Sequence, residues 1–251
     1  MKKFVIAAVA AVALNTTANA ESCASNFSGF YAGLQAGMNA TVGTVKIDGY
    51  AAETLAGDKS NFKVNNGSKS FIGGLFAGYG MGIGTCAYVG GEIYGNFTNT
   101  NNKVFDTSDA AIAYQTFKIT AKNNMNFGAK IRLGYTVSPQ AMIFLGLGLE
   151  YARWQVKCEN ITPTNVLTQP QTVDRTTKKN RAVVSFAPSV GMEMFMTKNI
   201  FVRGEYTYVM GTNQKLNPQQ NTGLPANAKP TSTVKVNNDQ HRFALGLGYK
   251  F

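Results

Sequence analysis

Residues 241–251 read H-R-F-A-L-G-L-G-Y-K-F, and this stretch decides the fold. Successive side chains of an extended strand point to opposite faces. His241, Phe243, Leu245, Leu247, Tyr249 and Phe251 therefore share one face, and Arg242, Ala244, Gly246, Gly248 and Lys250 share the other. A soluble sheet can carry the same alternation, but it seldom leaves only glycine, alanine and cations for the face that should be its core. The reading adopted is the reverse of a soluble protein: the apolar face meets lipid, and the small, polar face lines the inside of a barrel.

Seven earlier stretches repeat the pattern. Residues 29–39 put Phe30, Ala32, Leu34, Ala36 and Met38 on one face, with Tyr31, Gly33, Gln35, Gly37 and Asn39 on the other. Residues 70–81 set Phe71, Leu75, Ala77, Tyr79 and Met81 against Gly74, Gly78 and Gly80. Residues 87–97 set Ala87, Val89, Ile93 and Phe97 against Tyr88, Gly90, Glu92, Tyr94 and Asn96. Within residues 118–137, Met125, Phe127, Ala129, Ile131, Leu133 and Tyr135 oppose Lys122, Asn124, Asn126, Gly128, Lys130, Arg132 and Gly134. Residues 141–153 (Ile143 to Tyr151 outward, Gly146, Gly148 and Glu150 inward), 181–194 and 200–210 follow suit. Pro188 interrupts the sixth stretch, where a closed ladder has no free edge for a missing N–H, so a bulge or bend is expected there.

Between these stretches lie four polar segments, 47–69, 98–115, 154–180 and 211–240, rich in turn formers. Three short connections, at 82–85, 138–140 and 196–199, alternate with them. The fold expected is all-β: a single eight-stranded antiparallel transmembrane barrel with short periplasmic turns and four long extracellular loops. The strands have about the 9–11 residues that a tilted membrane strand needs.

Residues 1–20 stand apart. Lys2 and Lys3, the apolar run 4–14 and Ala18-Asn19-Ala20 have the order of a secretory signal peptide, with cleavage expected after Ala20. The run is too short to span a bilayer as a helix, which takes about 20 apolar residues. The barrel domain is then 21–251. Its 22 basic and 13 acidic residues leave a net charge of +9. Export argues against nucleic acid as the partner of this excess; anionic outer-membrane lipid and lipopolysaccharide fit it better.

The closing strand resembles that of bacterial outer-membrane β-barrels, and residues 29–37, G-F-Y-A-G-L-Q-A-G, resemble the first strand of OmpA-like and opacity-type barrels. The resemblance covers essentially all of the expected mature chain. The peptidoglycan-binding domain that follows the barrel in many OmpA-like relatives is not expected here. The resemblance implies that Phe243, Leu245, Leu247, Tyr249 and Phe251 form the signal read by the barrel-assembly machinery. It also implies a spread of roles: adhesion through the loops in opacity-type relatives, envelope stabilisation or weak conductance in OmpA-like ones.

The inward positions hold Glu92, Lys130, Arg132, Glu150, Glu193, Arg203, Glu205 and Arg242, four acids and four bases. An eight-stranded barrel is just wide enough for side chains to fill, and enclosed charges must pair. A salt-bridged plug is expected; a gate whose pairs exchange to open a narrow pore is the second reading. Arg153, Lys157, Lys178, Lys179 and Arg181 gather where the fifth and sixth strands should leave the membrane. They suit lipopolysaccharide phosphates, or else a solvated loop base. Tyr151, Trp154, Tyr206 and Tyr208 suit an interfacial aromatic girdle.

No catalytic set is read from the sequence. His241 is the one histidine, and the nearest serine in sequence, Ser232, is nine residues away in a loop. One histidine and scattered thiols build no tetrahedral metal site, and no cofactor is expected. The protein is expected to be a monomeric surface barrel, structural or adhesive, with a small porin as the alternative. Cys23 and Cys86 both fall at the periplasmic rim of this topology and could pair, leaving Cys158 apart. The mass of the exported chain under alkylation checks this: pairing leaves one reactive thiol before reduction and three after.

Overall fold

The computed structural model of the chain describes residues 26–50, 60–106, 116–161, 175–211, 214–216 and 233–251. The expected signal peptide and Cys23 lie outside them. Nine strands form one antiparallel sheet: β1 (Gly29–Tyr50), β2 (Ser60–Ile83), β3 (Ala87–Asp106), β4 (Thr116–Ser138), β5 (Ala141–Ile161), β6 (Arg175–Phe195), β7 (Ile200–Val209), β8 (Gln214–Leu216) and β9 (Thr233–Lys250). Neighbours in sequence pair from β1 through β7, β7 pairs with β9, and β9 returns to β1. Eight strands thus close a ring. The short β8 extends the β7 edge, lying against Val234, Lys235 and Val236 of β9.

The seam between β1 and β9 runs without a break from Tyr31↔Lys250 to Asp48↔Thr233. In hydrocarbon each unpaired backbone group costs several kcal/mol, so only helices and closed barrels can span it. Hydropathy follows from closure. Leu34, Phe71, Ile93, Ile131, Leu147, Val184 and Leu245 are among the large apolar side chains left exposed on the outside. Arg132, Glu92 and Glu150 are buried inside.

Most strands are far longer than the expected 9–11 residues; β2 has 24. The segments 47–69, 98–115 and 154–180 are therefore only partly loop. β1 and β2 stay paired as far as Tyr50↔Ser60, and β5 and β6 as far as Asn160↔Arg175. Beyond the bilayer both faces of such a ladder can meet water. Its alternation of polar and apolar residues then fades while its hydrogen bonds continue.

Two readings of facing are corrected. Lys122 and Asn124 do not belong to the inward set of β4. Register shifts between Asn123 and Asn126 on the β5 side, with an irregularity opposite β3 as well. An extra residue in a strand flips every side chain beyond it. Asn123 and Asn126 are both buried while Asn124 is exposed. Trp154 is not part of an outer girdle: it has the same parity as Glu150 and is 5% exposed, inside the barrel.

Pro188 also acts differently from expectation. No bulge forms on the β5 side, where the register passes straight through Leu147↔Pro188. The β6–β7 ladder instead stops at Ser189↔Thr207. One step further would place Pro188 opposite Tyr208, and proline has no N–H to donate. A single bond follows beyond the gap, Met210 N–H donating to the Phe186 carbonyl at 2.9 Å.

The inner wall alternates large and absent side chains across strands. Phe76 faces Gly33, Tyr94 faces Gly128, Phe144 faces Gly191 and Phe201 faces Gly248. A Cβ at any of these glycines would meet the ring of its partner. The glycines thus give the rings room to lie flat against the wall and fill the interior. At Gly33 a Cβ would also come within 2.5 Å of the Leu247 carbonyl oxygen and 2.8 Å of the Gly248 Cα, both across the seam. At Gly91, on the outer face, it would meet nothing within 4 Å. Gly33→Ala is expected to destabilise the barrel by about 1–3 kcal/mol through overpacking, and Gly91→Ala to leave it unchanged. Urea unfolding in detergent, followed by fluorescence of the buried Trp154, measures both.

Candidate functional site

The lumen is built in three layers. Nearest the short turns is an aromatic plug. Phe27, Tyr31, Phe76, Tyr88, Tyr94, Met142, Phe144, Phe195 and Phe201 form one buried cluster. Its rings touch in sequence: Phe27 to Phe195 at 5.0 Å, Phe195 to Phe201 at 5.7 Å and Phe201 to Tyr31 at 6.0 Å between centroids. Most of these residues escape a reading that follows glycines and charges, although Phe76, between Gly74 and Gly78 in alternation, has the inward parity.

The second layer is ionic and holds all eight charged residues of the inward set. Glu92 is its centre. Arg203 Nη1 donates to Glu92 Oε2 at 2.6 Å, Arg132 Nη1 lies 3.3 Å from the same oxygen, and Lys130 Nζ lies 3.1 Å from Oε1. Arg132 also reaches Glu193 at 2.7 Å through Nη2. Lys130 donates to Glu205. A second unit is separate: Arg242 donates twice to Glu150, at 2.7 and 2.9 Å, and the Tyr94 hydroxyl donates to Glu150 at 3.1 Å. This bidentate geometry is the strong form of a carboxylate–guanidinium bond.

The plug and the ionic layer interlock. The Arg132 guanidinium lies 4.0 Å from the Phe144 centroid, and that of Arg203 lies 3.7 Å from the Phe76 centroid. Tyr31 donates to Glu92 at 3.0 Å and accepts from Arg132 at 2.9 Å. Above the charges sits a layer of amides and hydroxyls. Gln35 donates to Asn96 at 2.6 Å and Asn39 to Gln240 at 3.0 Å, with Asn123, Asn126, Thr41, Thr207 and Asn238 also buried. The void between the ionic and amide layers is about 10 Å³, lined by Tyr94, Lys130, Glu205, Thr207 and Arg242 among others. That is about the space of one water.

The basic cluster does not gather on one face. Arg153 is exposed on the outside and Lys157 is half-buried. Lys157 pairs in register with Lys178, and Val156 with Lys179. Arg181 stands opposite Trp154, whose side chain is buried in the lumen. On β9, Phe243, Leu245, Leu247, Tyr249 and Phe251 are all exposed along the outer wall, and Phe251 N–H closes on the Phe30 carbonyl at 2.9 Å. Among the described residues Cys86 has no disulfide partner, and Cys23, with which the sequence would pair it, lies outside them. Among the described residues no group of three or more His, Cys, Asp or Glu side chains is placed to hold a metal.

A closed ring with an apolar exterior and a charged, filled interior defines a transmembrane β-barrel. The family model of the outer membrane protein beta-barrel domain matches residues 4–251, and the chain belongs to that family. Its place is the outer membrane, so the short turns are periplasmic and the four longer connections extracellular. No curated protein sequence matches the chain. Among solved structures, the outer membrane protein OprG from Pseudomonas aeruginosa is 14% identical, with a TM-score of 0.52 over 92% of this chain and 99% of that one. That likeness shows the fold alone. Neisserial surface protein A (16% identity, TM-score 0.41, 89% and 98% covered) and the attachment invasion locus protein Ail of Yersinia pestis (14%, 0.36, 89% and 99%) are weaker matches.

Breaking a buried pair costs more than the pair contributes, because the surviving charge is stranded. Arg242→Met is expected to destabilise the barrel by about 3–5 kcal/mol, and Arg242→Met with Glu150→Leu to recover most of that loss. Urea midpoints of the refolded single and double variants check it.

Proposed function

We propose that the protein is a sealed barrel that anchors and displays its extracellular loops, giving it a structural and adhesive or other surface-contact role. The observation that carries this reading is the filled lumen. Aromatic rings, paired charges and hydrogen-bonded amides occupy successive layers, and the void between the ionic and amide layers is water-sized. The long extracellular parts of the strands support it further, since β1–β2 and β5–β6 carry their loops well beyond the apolar band. Such stiff ladders suit presentation of a binding surface at a fixed height. On the outer wall Arg153, with Lys157 above it, supports contact with lipopolysaccharide phosphates as the barrel's lipid partner.

The role is non-catalytic. His241, the sole histidine, lies on the lipid-facing wall, where its Nδ1 is 2.7 Å from the Tyr206 hydroxyl. Its side-chain neighbours there are the tyrosines Tyr206 and Tyr208, and Ser232 lies outside the described residues. One solved structure in the comparison is the outer membrane protease OmpT from Escherichia coli (11% identity, TM-score 0.39).

The competing function is a narrow porin, and conductance separates the two. The refolded protein in a planar bilayer is expected to be silent, whereas Phe201→Ala with Tyr31→Ala, which removes the middle of the plug, is expected to pass current. Reproducible steps from the unaltered protein, changed in size by Arg132→Ala, would establish the porin instead.

A further inference from the structure

The outer wall carries a second feature that the lumen does not explain. Ala40 of β1 pairs in register with Lys69 of β2 on one side and with His241 of β9 on the other. His241 pairs in turn with Tyr208 of β7. Lys69, Ala40, His241 and Tyr208 are thus consecutive positions of one row across four strands. Lys69 and His241 are exposed, and Ala40 between them is too small to fill the row. Below it lie Met38, Phe71, Phe243 and Tyr206, the upper margin of the apolar band. A concavity of about 200 Å³ opens here, lined by Met38, Ala40, Lys69, Tyr206, His241 and Phe243.

We infer that this concavity is a seat for the phosphorylated headgroup of an outer-leaflet lipid. The reading depends on the barrel's place in the outer membrane but not on its surface role. Three features specify the occupant. The first is position: the concavity lies where large apolar side chains give way to cations, the level at which an acyl chain ends and a headgroup begins. The second is width: strands stand about 4.8 Å apart, so Lys69 and His241 flank a gap of roughly 10 Å, enough for one phosphate over the Ala40 methyl. The third is charge: Lys69 supplies a cation, and with Nδ1 engaged by Tyr206 the Nε2 edge of the His241 imidazole is left to hydrogen-bond the phosphate. Met38 and Phe243 receive the first carbons of the acyl chains.

The other groups facing His241 come from each neighbouring strand. From β7, Tyr208 stacks obliquely on it at 5.1 Å and Tyr206 lies at 6.2 Å between centroids. From β1, Ala40 brings no charge. On β9 itself the only nearby acid is Asp239, one position higher on the outer face, where it accepts from the Gly211 N–H at 2.8 Å. It is also hydrogen-bonded to Tyr208, so its partners lie on the β7 side of His241. The basic cluster on β5 and β6 lies on another part of the wall.

The test is native mass spectrometry of the full barrel released from detergent micelles doped with bis-phosphorylated lipid A, or with lipid A stripped of phosphate. Folding of each variant is checked by its heat-modifiable gel shift. The unaltered protein is expected to retain the phosphorylated lipid at least tenfold better than the stripped one. Lys69→Ala is expected to abolish most retention. His241→Gln, which keeps a hydrogen-bonding side chain and so guards against misfolding, is expected to reduce retention less than Lys69→Ala does. Equal retention of both lipids, or retention of the phosphorylated lipid by the folded Lys69→Ala, His241→Gln double variant at the unaltered level, would overturn the inference. Loss of loop-mediated adhesion has no bearing on it.

Discussion

Everything in this molecule answers to one constraint: in hydrocarbon a peptide group has nothing to bond with except another peptide group. The β1–β9 seam meets that constraint for the two strands that would otherwise be edges. Once the ring is closed, side-chain chemistry is divided by geometry. Outward positions are left to lipid and become Leu, Ile, Phe and Val. Inward positions belong to a space only eight strands wide, which must be packed with whatever the strands point into it.

How that space is packed explains the mixture of glycine, aromatic and charged residues. A barrel lined only by long side chains would be overfilled. Pairing each ring with a glycine on the next strand halves the demand at that level. The charges then occupy the middle, where Glu92, Glu150 and Glu205 each meet more than one donor. Glu92 alone is shared among three cations, and aromatic faces cover Arg132 and Arg203 from below. A network so interlocked does not open by moving a single side chain, and this rigidity is the physical case for a sealed barrel over a pore.

Much of this was legible in the sequence. Strict alternation phased the strands correctly, because lipid on one side and a confined interior on the other keep the period at two. It also placed all eight inward charges. Legibility failed where one of those two conditions lapsed. Above the membrane both faces can meet water, so the ladders of β1–β2 and β5–β6 read as loop. At Asn123–Asn126 the bulge reversed the parity, and Lys122 and Asn124 were assigned to the wrong side. Trp154 was read by residue type, as an interfacial aromatic, although its parity with Glu150 placed it inside. The plug escaped because inward was equated with polar. Phe76, Phe144 and Phe201 sit on the inward parity in full view, but nothing in local sequence says which glycine each will cover. That information lies in register between strands.

The seam has a bearing on how the protein is made. Asn39 and Gln240, hydrogen-bonded across it, are 201 residues apart. Until β9 has been synthesised, a partial sheet of β1 to β7 carries two bare edges and an apolar face, a combination that invites association with other chains. Pairings this distant in sequence also form slowly. Order of synthesis and order of closure therefore conflict: the strand that completes the wall arrives last and must find the one that arrived first. A chain of this design has to be held open after export until its whole length is present, and its dependence on such custody is written into the ring itself.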